Sequence, residues 1–146
     1  NTLVWEVPYA HGILKAVSYN KGGEVGTATL ESAGKVEKIR LSADRTEIVA
    51  DGNDLSYITL ELVDSKGIRN QLAEELVEFS IAGDATIEGV GNANPMSIES
   101  FVANSRKTWR GSNLLVVRSG KSSGRIIVTA KVKALPVASI TITQKK

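Results

Sequence analysis

The chain has no cysteine among its 146 residues, one histidine, three prolines and only 5% aromatic residues. The missing thiols exclude disulfide staples, thiolate metal sites and cysteine nucleophiles. The lone imidazole, His11, excludes multi-histidine metal centres, and any Ser-His-Asp triad would have to use it. An excess of one charge is also missing. With 18 basic and 16 acidic residues the net charge is +2, too balanced for a nucleic-acid footprint, and the basic pair Lys145-Lys146 reads as a solvated end. No run approaches the ~18 apolar residues of a membrane-spanning helix, and no signal peptide opens the chain. Neither nucleic acid nor membrane is expected as a partner. The opening Asn1-Thr2-Leu3-Val4-Trp5 already has strand character, as a piece cut from a longer protein would.

What is present is β pattern. Hydrophobic residues make up 42% and charged residues 23%, a globular balance. "LVWEV" reads as a short strand closed by Pro8. "GILKAVSYN", the turn "NKGG" and "EVGTATLES" read as a hairpin. From Val36 the pattern restarts, with strand candidates in "VEKIRLSA", "SYITLELVD", "LVEFSIAG", "ATIEGVG", "NLLVVRSG", "SGRIIVTAKV" and "VASITIT". Ile58, Leu60 and Leu62 should share the core face, as should Val77, Phe79 and Ile81. The continuous apolar centre of "NLLVVRSG" predicts a strand buried on both faces, and "RTEIVADGNDL" reads as a turn-rich connector. The expected fold is therefore all-β: an immunoglobulin-like β-sandwich over residues 36–146, preceded by a small incomplete β module over residues 1–35. A loop around Asn70 to Glu75 should lead into a strand at Val77. Asn94-Pro95 should start a short helix over about residues 95–101, with Asn at the cap and Pro in the first turn.

Chemistry is harder to find. "GVGNANP", from Gly89 to Pro95, has the first glycines of a dinucleotide fingerprint, but Asn94 stands at the third position and no βαβ unit follows. The alternative is a strand end where glycine permits positive φ or close backbone approach. A glycosidase acid–base pair needs two carboxylates roughly 5–9 Å apart in a cleft. Nothing in the sequence brings Glu6, Glu74, Glu75, Asp84, Glu88 or Glu99 together so, and solvated carboxylates are the plainer reading. Trp5 and Tyr9 near His11 could stack on a sugar ring or pack internally. Trp109, between Lys107 and Arg110, is either a second exposed aromatic or an apolar anchor for the long loop from Asn92 to Asn113. That loop is the most informative irregular element. Met96, Ile98, Phe101 and Trp109 are its expected packing, and Asn92, Asn94, Ser97, Glu99 and Asn104 its polar groups for hydroxyl recognition or for capping its own backbone. The sugar-contact candidates are thus Trp5, Tyr9, Asn92, Asn94, Glu99 and Trp109. No catalytic residue, cofactor site or metal site is expected.

The residues from "GVGNANPMSIESF" through "RKTWRGSNLLVV" to "GRIIVTAK" resemble the C-terminal sandwich domain of family 2 glycoside hydrolases, in the β-galactosidase group of Bacteroidetes. The matching positions are Gly89, Gly91, Asn92, Pro95, Ser97, Glu99, Phe101, Arg106, Lys107, Trp109, Gly111 and Thr129-Ala130. Ala93 departs where glycine is frequent, and Ile98 where histidine or leucine often stands. "LVWEVPYAHGILKAVSYNKGGEVGTATLESAG" resembles the back half of the small domain preceding it in these enzymes, whose front strands are missing here. The resemblance implies a non-catalytic region, since the two catalytic glutamates of such enzymes lie upstream in a (β/α)₈ barrel. It further implies a periplasmic, extracellular or cell-surface parent. The partners would be that barrel and the upstream sandwich domains, with a glycan as a further candidate, and a homo-dimer through the truncated first module is open to it. A carbohydrate-binding module and an adhesin-type surface repeat are the alternative readings.

Overall fold

A computed structural model describes residues 2–146, an all-β chain with no helix among them. The chain divides into two compact units, one reaching to Ser32 and one spanning Ala33–Lys146. The first unit is a single hairpin of β1 (Ile13–Asn20) and β2 (Gly23–Glu31). Its turn, Lys21-Gly22, has positive φ at both residues (48° and 81°), the form whose twist matches the flanking strands. Leu3 to Val7, expected as a strand, is irregular and exposed. Extended propensity becomes a strand only when a neighbour pairs with it, and β1 pairs only with β2.

The second unit is a two-sheet immunoglobulin-like sandwich. Its strands are β3 (Lys38–Ala43), β4 (Glu47–Val49), β5 (Leu55–Val63), β6 (Leu76–Ala82), β7 (Ala85–Gly91), β8 (Ser105–Lys107), β9 (Ser112–Ser119), β10 (Gly124–Val132) and β11 (Ala138–Lys145). One sheet has the order β4-β11-β10-β6-β8, the other β3-β5-β9-β7. All neighbours are antiparallel except β11 and β4, which run parallel. Period-two alternation fills the space between the sheets: Ile58, Leu60, Leu62, Val77, Phe79, Leu115, Val117, Ile126, Val128 and Ile142 are buried together. Each such side chain contributes about 1.5–3 kcal/mol by leaving water.

The expected faces of β5 and β6 hold, with Ile81 only partly buried. The reading of β9 is corrected: Leu115 and Val117 are buried, but Leu114 is exposed and Val116 half-buried. A two-layer sandwich covers only one face of each sheet, so apolar residues on the other face stay near water. The connector after Ala43 contains β4, and the long loop contains β8. Both are short edge strands of three residues, which a periodicity count does not resolve. The helix expected over 95–101 does not form.

Candidate functional site

β7 is the edge of one sheet and β8 the edge of the other. The segment from Asn92 to Asn104 joins them, and so closes the open side of the sandwich. Two backbone bonds weld it there, Val90 N–H donating to Phe101 C=O (2.8 Å) and Phe79 N–H to Asn104 C=O (2.8 Å), and a third, Ser97 N–H to Asn94 C=O (3.3 Å), closes a turn within the segment. β7 bulges between Ile87 and Gly89, and a Cβ at Gly89 would stand 3.1 Å from the Phe101 carbonyl oxygen. Glycine at 89 therefore lets the returning loop approach. Gly91 has neither a positive φ nor a crowding neighbour, so the conformational role expected for it is corrected.

The loop's centre is Arg106 on β8, fully buried. Nη1 donates to the carbonyls of Glu99 (3.1 Å) and Val90 (3.3 Å), and Nη2 donates to Ser97 Oγ (3.1 Å). Its guanidinium carbon lies 4.2 Å from the centre of the Phe101 ring. One side chain thus ties β7, β8 and the loop together. A guanidinium suits the task because it presents several donors in a fixed plane.

The loop's acids and amides face the same way. Glu99 Oε1 accepts from Lys107 N–H (3.0 Å), and Oε2 accepts from Ser97 Oγ (3.0 Å). Asn92 Nδ2 donates to Lys107 C=O (2.7 Å), and Asn92 Oδ1 accepts from Asn94 N–H (3.2 Å). Asn94 Oδ1 accepts from Met96 N–H (2.9 Å). Asn94 does cap the turn at Pro95-Met96, but Ser97 and Glu99 are drawn in toward Arg106 and β8, which stops that turn from propagating into a helix. The apolar packing expected of the loop is corrected: Met96, Ile98, Phe101 and Val102 are 62–101% exposed.

Trp109 is half-buried and bonds reciprocally with Ser112 (N–H to C=O, 3.0 and 3.1 Å), closing a two-residue turn at Arg110-Gly111. Both turn residues have positive φ (49° and 71°), and a Cβ on Gly111 would fall 2.2 Å from the Asn70 carbonyl oxygen. The Arg110 guanidinium lies 5.8 Å from the Trp109 ring centre. Trp5 and Tyr9, in the first unit, are 67% and 81% exposed, and His11 is exposed. An open groove of about 800 Å³ is lined by Lys35, Glu37, Leu72, Glu75, Val132 and Leu135, among others, and by none of the sequence-predicted site residues.

The carboxylates with perturbed titration all sit in turns. Asp64 is held below the ordinary carboxylate range by the Gly34 and Ile68 amides, and Asp51 by the amides of Asn53 and Asp54. Asp54 is lowered by the Val49 amide and Arg45, and Asp84 by the amide and side chain of Ser122. These donors stabilise the charged form, the opposite of what a general acid needs.

Sequence reasoning named Arg106 only through the resemblance. A basic residue in "NSRKT" gives no periodicity signal that it turns inward, and its acceptors, Val90, Ser97 and Glu99, lie 7 to 16 residues earlier on the strand and the irregular loop that precede it.

The profile of the glycoside hydrolase family 2 C-terminal domain 5 matches residues 39–141. This chain belongs to that family. The match takes in the whole edge loop and Arg106. Of curated relatives, the β-galactosidase BoGH2A of Bacteroides ovatus is 34% identical over 144 residues, 99% of this chain and 17% of that protein. Of solved structures, a glycosyl hydrolase family 2 member from Bacteroides cellulosilyticus is 99% identical with a TM-score of 0.94, over 99% of this chain and 19% of that one. A β-glucuronidase from glycoside hydrolase family 2 is 29% identical with a TM-score of 0.84, over 95% of this chain and 15% of that one. This family 2 C-terminal domain thus spans less than a fifth of the length of each relative.

Proposed function

We propose that this region is a non-catalytic accessory module of a longer family 2 glycosidase of the β-galactosidase kind, acting in packing, spacing or oligomerisation. The observation that carries the reading is the state of its carboxylates. Hydrolysis of a glycosidic bond needs one carboxyl kept protonated near neutral pH beside a second carboxylate. Here every aspartate with a resolved shift is pushed the other way, and Glu99 is engaged by Lys107 and Ser97. The barrel and upstream sandwich domains of the parent are the proposed partners, and its setting is periplasmic or at the cell surface. The thin hairpin supports the same reading: two strands bury too little apolar surface to stand alone, so its edges await strands from the parent or from a second copy.

Glycan contact is the second reading, favoured by the exposure of Trp5 and Tyr9. The polar groups of Asn92, Asn94 and Glu99 support it less, because they bond within the loop. Two assays on the isolated chain decide. A nitrophenyl galactoside should not be turned over, and turnover would end the non-catalytic reading. Calorimetric titration with galactose, lactose and galactan fragments should give no binding tighter than about millimolar. Tighter binding lost in Trp5→Ala or Trp109→Ala, with the fold intact, would replace the packing role by sugar recognition.

A further inference from the structure

The edge loop is built inside out. Its polar residues Asn92, Asn94, Ser97 and Glu99 are partly buried and bonded, while Met96, Ile98, Phe101 and Val102 project from it. A loop that packs on itself would put the apolar residues inside. The buried Arg106 holds this inversion in place, so the ordering cost of presenting the apolar side chains is met before anything docks.

We infer that this ridge is a docking surface for the part of the longer family 2 polypeptide that lies outside this chain, an inference that rests on the accessory-module reading. Three observations choose this occupant. The solved family 2 member that is 99% identical carries this region as 19% of its chain, so most of that polypeptide is available to cover the ridge. The ridge is also small. At roughly 100 Å² for each side chain it offers about 400 Å², under the ~800 Å² per partner of a stable free-standing interface. A tethered partner, present at an effective concentration on the order of millimolar, needs no more than that. Finally, Phe101 is the ridge's one aromatic ring, and Arg106 lies over one of its faces, which leaves no extended platform for a sugar.

Met96 is the one methionine of the chain, so its oxidation reports on the ridge directly. The test treats the full-length polypeptide with dilute peroxide and follows the Met96 peptide by mass spectrometry. Met96 is 84% exposed in this region by itself, so any protection has to come from what covers it. In the native polypeptide Met96 should form sulfoxide at least about fivefold more slowly than free methionine. The Ile98→Asp/Val102→Asp variant, altered only at exposed positions, should bring the rate back toward that of free methionine. A native rate within about fivefold of free methionine overturns the inference without any variant. Protection that disappears on dilution assigns the ridge to a second copy and also overturns it. Turnover by the isolated region would instead sink the accessory-module reading, and it leaves the Met96 rate unaffected.

Discussion

At the scale of single residues, Arg106 carries more of the architecture than any apolar side chain of the loop. Arg106→Met keeps the bulk but strands the carbonyls of Val90 and Glu99 at a closed edge. It should cost about 2–4 kcal/mol, read as a lower urea midpoint. The glycines divide by physical need. Gly111→Ala meets both a positive φ and the Asn70 carbonyl, and should lower stability by more than about 2 kcal/mol, whereas Gly91→Ala meets neither and should stay within about 0.5 kcal/mol. Asp64 sets a pH dependence. It accepts N–H bonds from Gly34 (2.8 Å), Ile68 (2.8 Å) and Lys66 (3.0 Å), and its pKa lies below the ordinary 3.8. The unfolded chain therefore takes up the proton first on acidification. The stabilisation is complete above the unfolded value and declines as pH falls below it toward the lowered folded one. Asp64→Asn should be less stable than the native chain near neutrality, with the gap narrowing in acid. Urea midpoints at about pH 6 and pH 3 measure it, and parallel curves would contradict the assignment.

At the scale of elements, legibility followed periodicity. β5, β6, β10 and β11 announce themselves by β-branched and alternating residues, and the core they build is the one their patterns imply. β4 and β8 were not legible, because three residues cannot display a period and their pairing is fixed by distant partners, β11 and β6. "NLLVV" misleads for a related reason: apolar content says which residues tolerate burial, while the number of layers decides which are buried. In the edge loop the family motif was legible as residues, and the inversion was not. That Asn92, Asn94 and Glu99 bond inward and Ile98 and Val102 face out depends on a guanidinium several residues further on. Glu99→Ala should loosen the loop without unfolding the sandwich: amide exchange at Lys107 should accelerate by about tenfold or more, with β5 and β9 unchanged. Unchanged exchange at Lys107 would show that Glu99 does not hold β8 to the loop.

At the scale of the whole molecule, the second unit has a continuous core between its sheets, and the first is a hairpin with most of its side chains exposed. That asymmetry, the outward ridge and the lowered pKa values of Asp51, Asp54, Asp64 and Asp84 are the observations on which the proposed accessory role rests. The direct measurement is turnover of a nitrophenyl galactoside by the full-length polypeptide and by the same polypeptide ended before Ala33, with circular dichroism checking that the shortened protein remains folded. The account predicts a kcat within about tenfold of the full-length value together with a lower melting temperature. A kcat reduced by about a thousandfold or more in a folded, shortened protein would contradict it, because a residue of this region would then belong to the catalytic machinery.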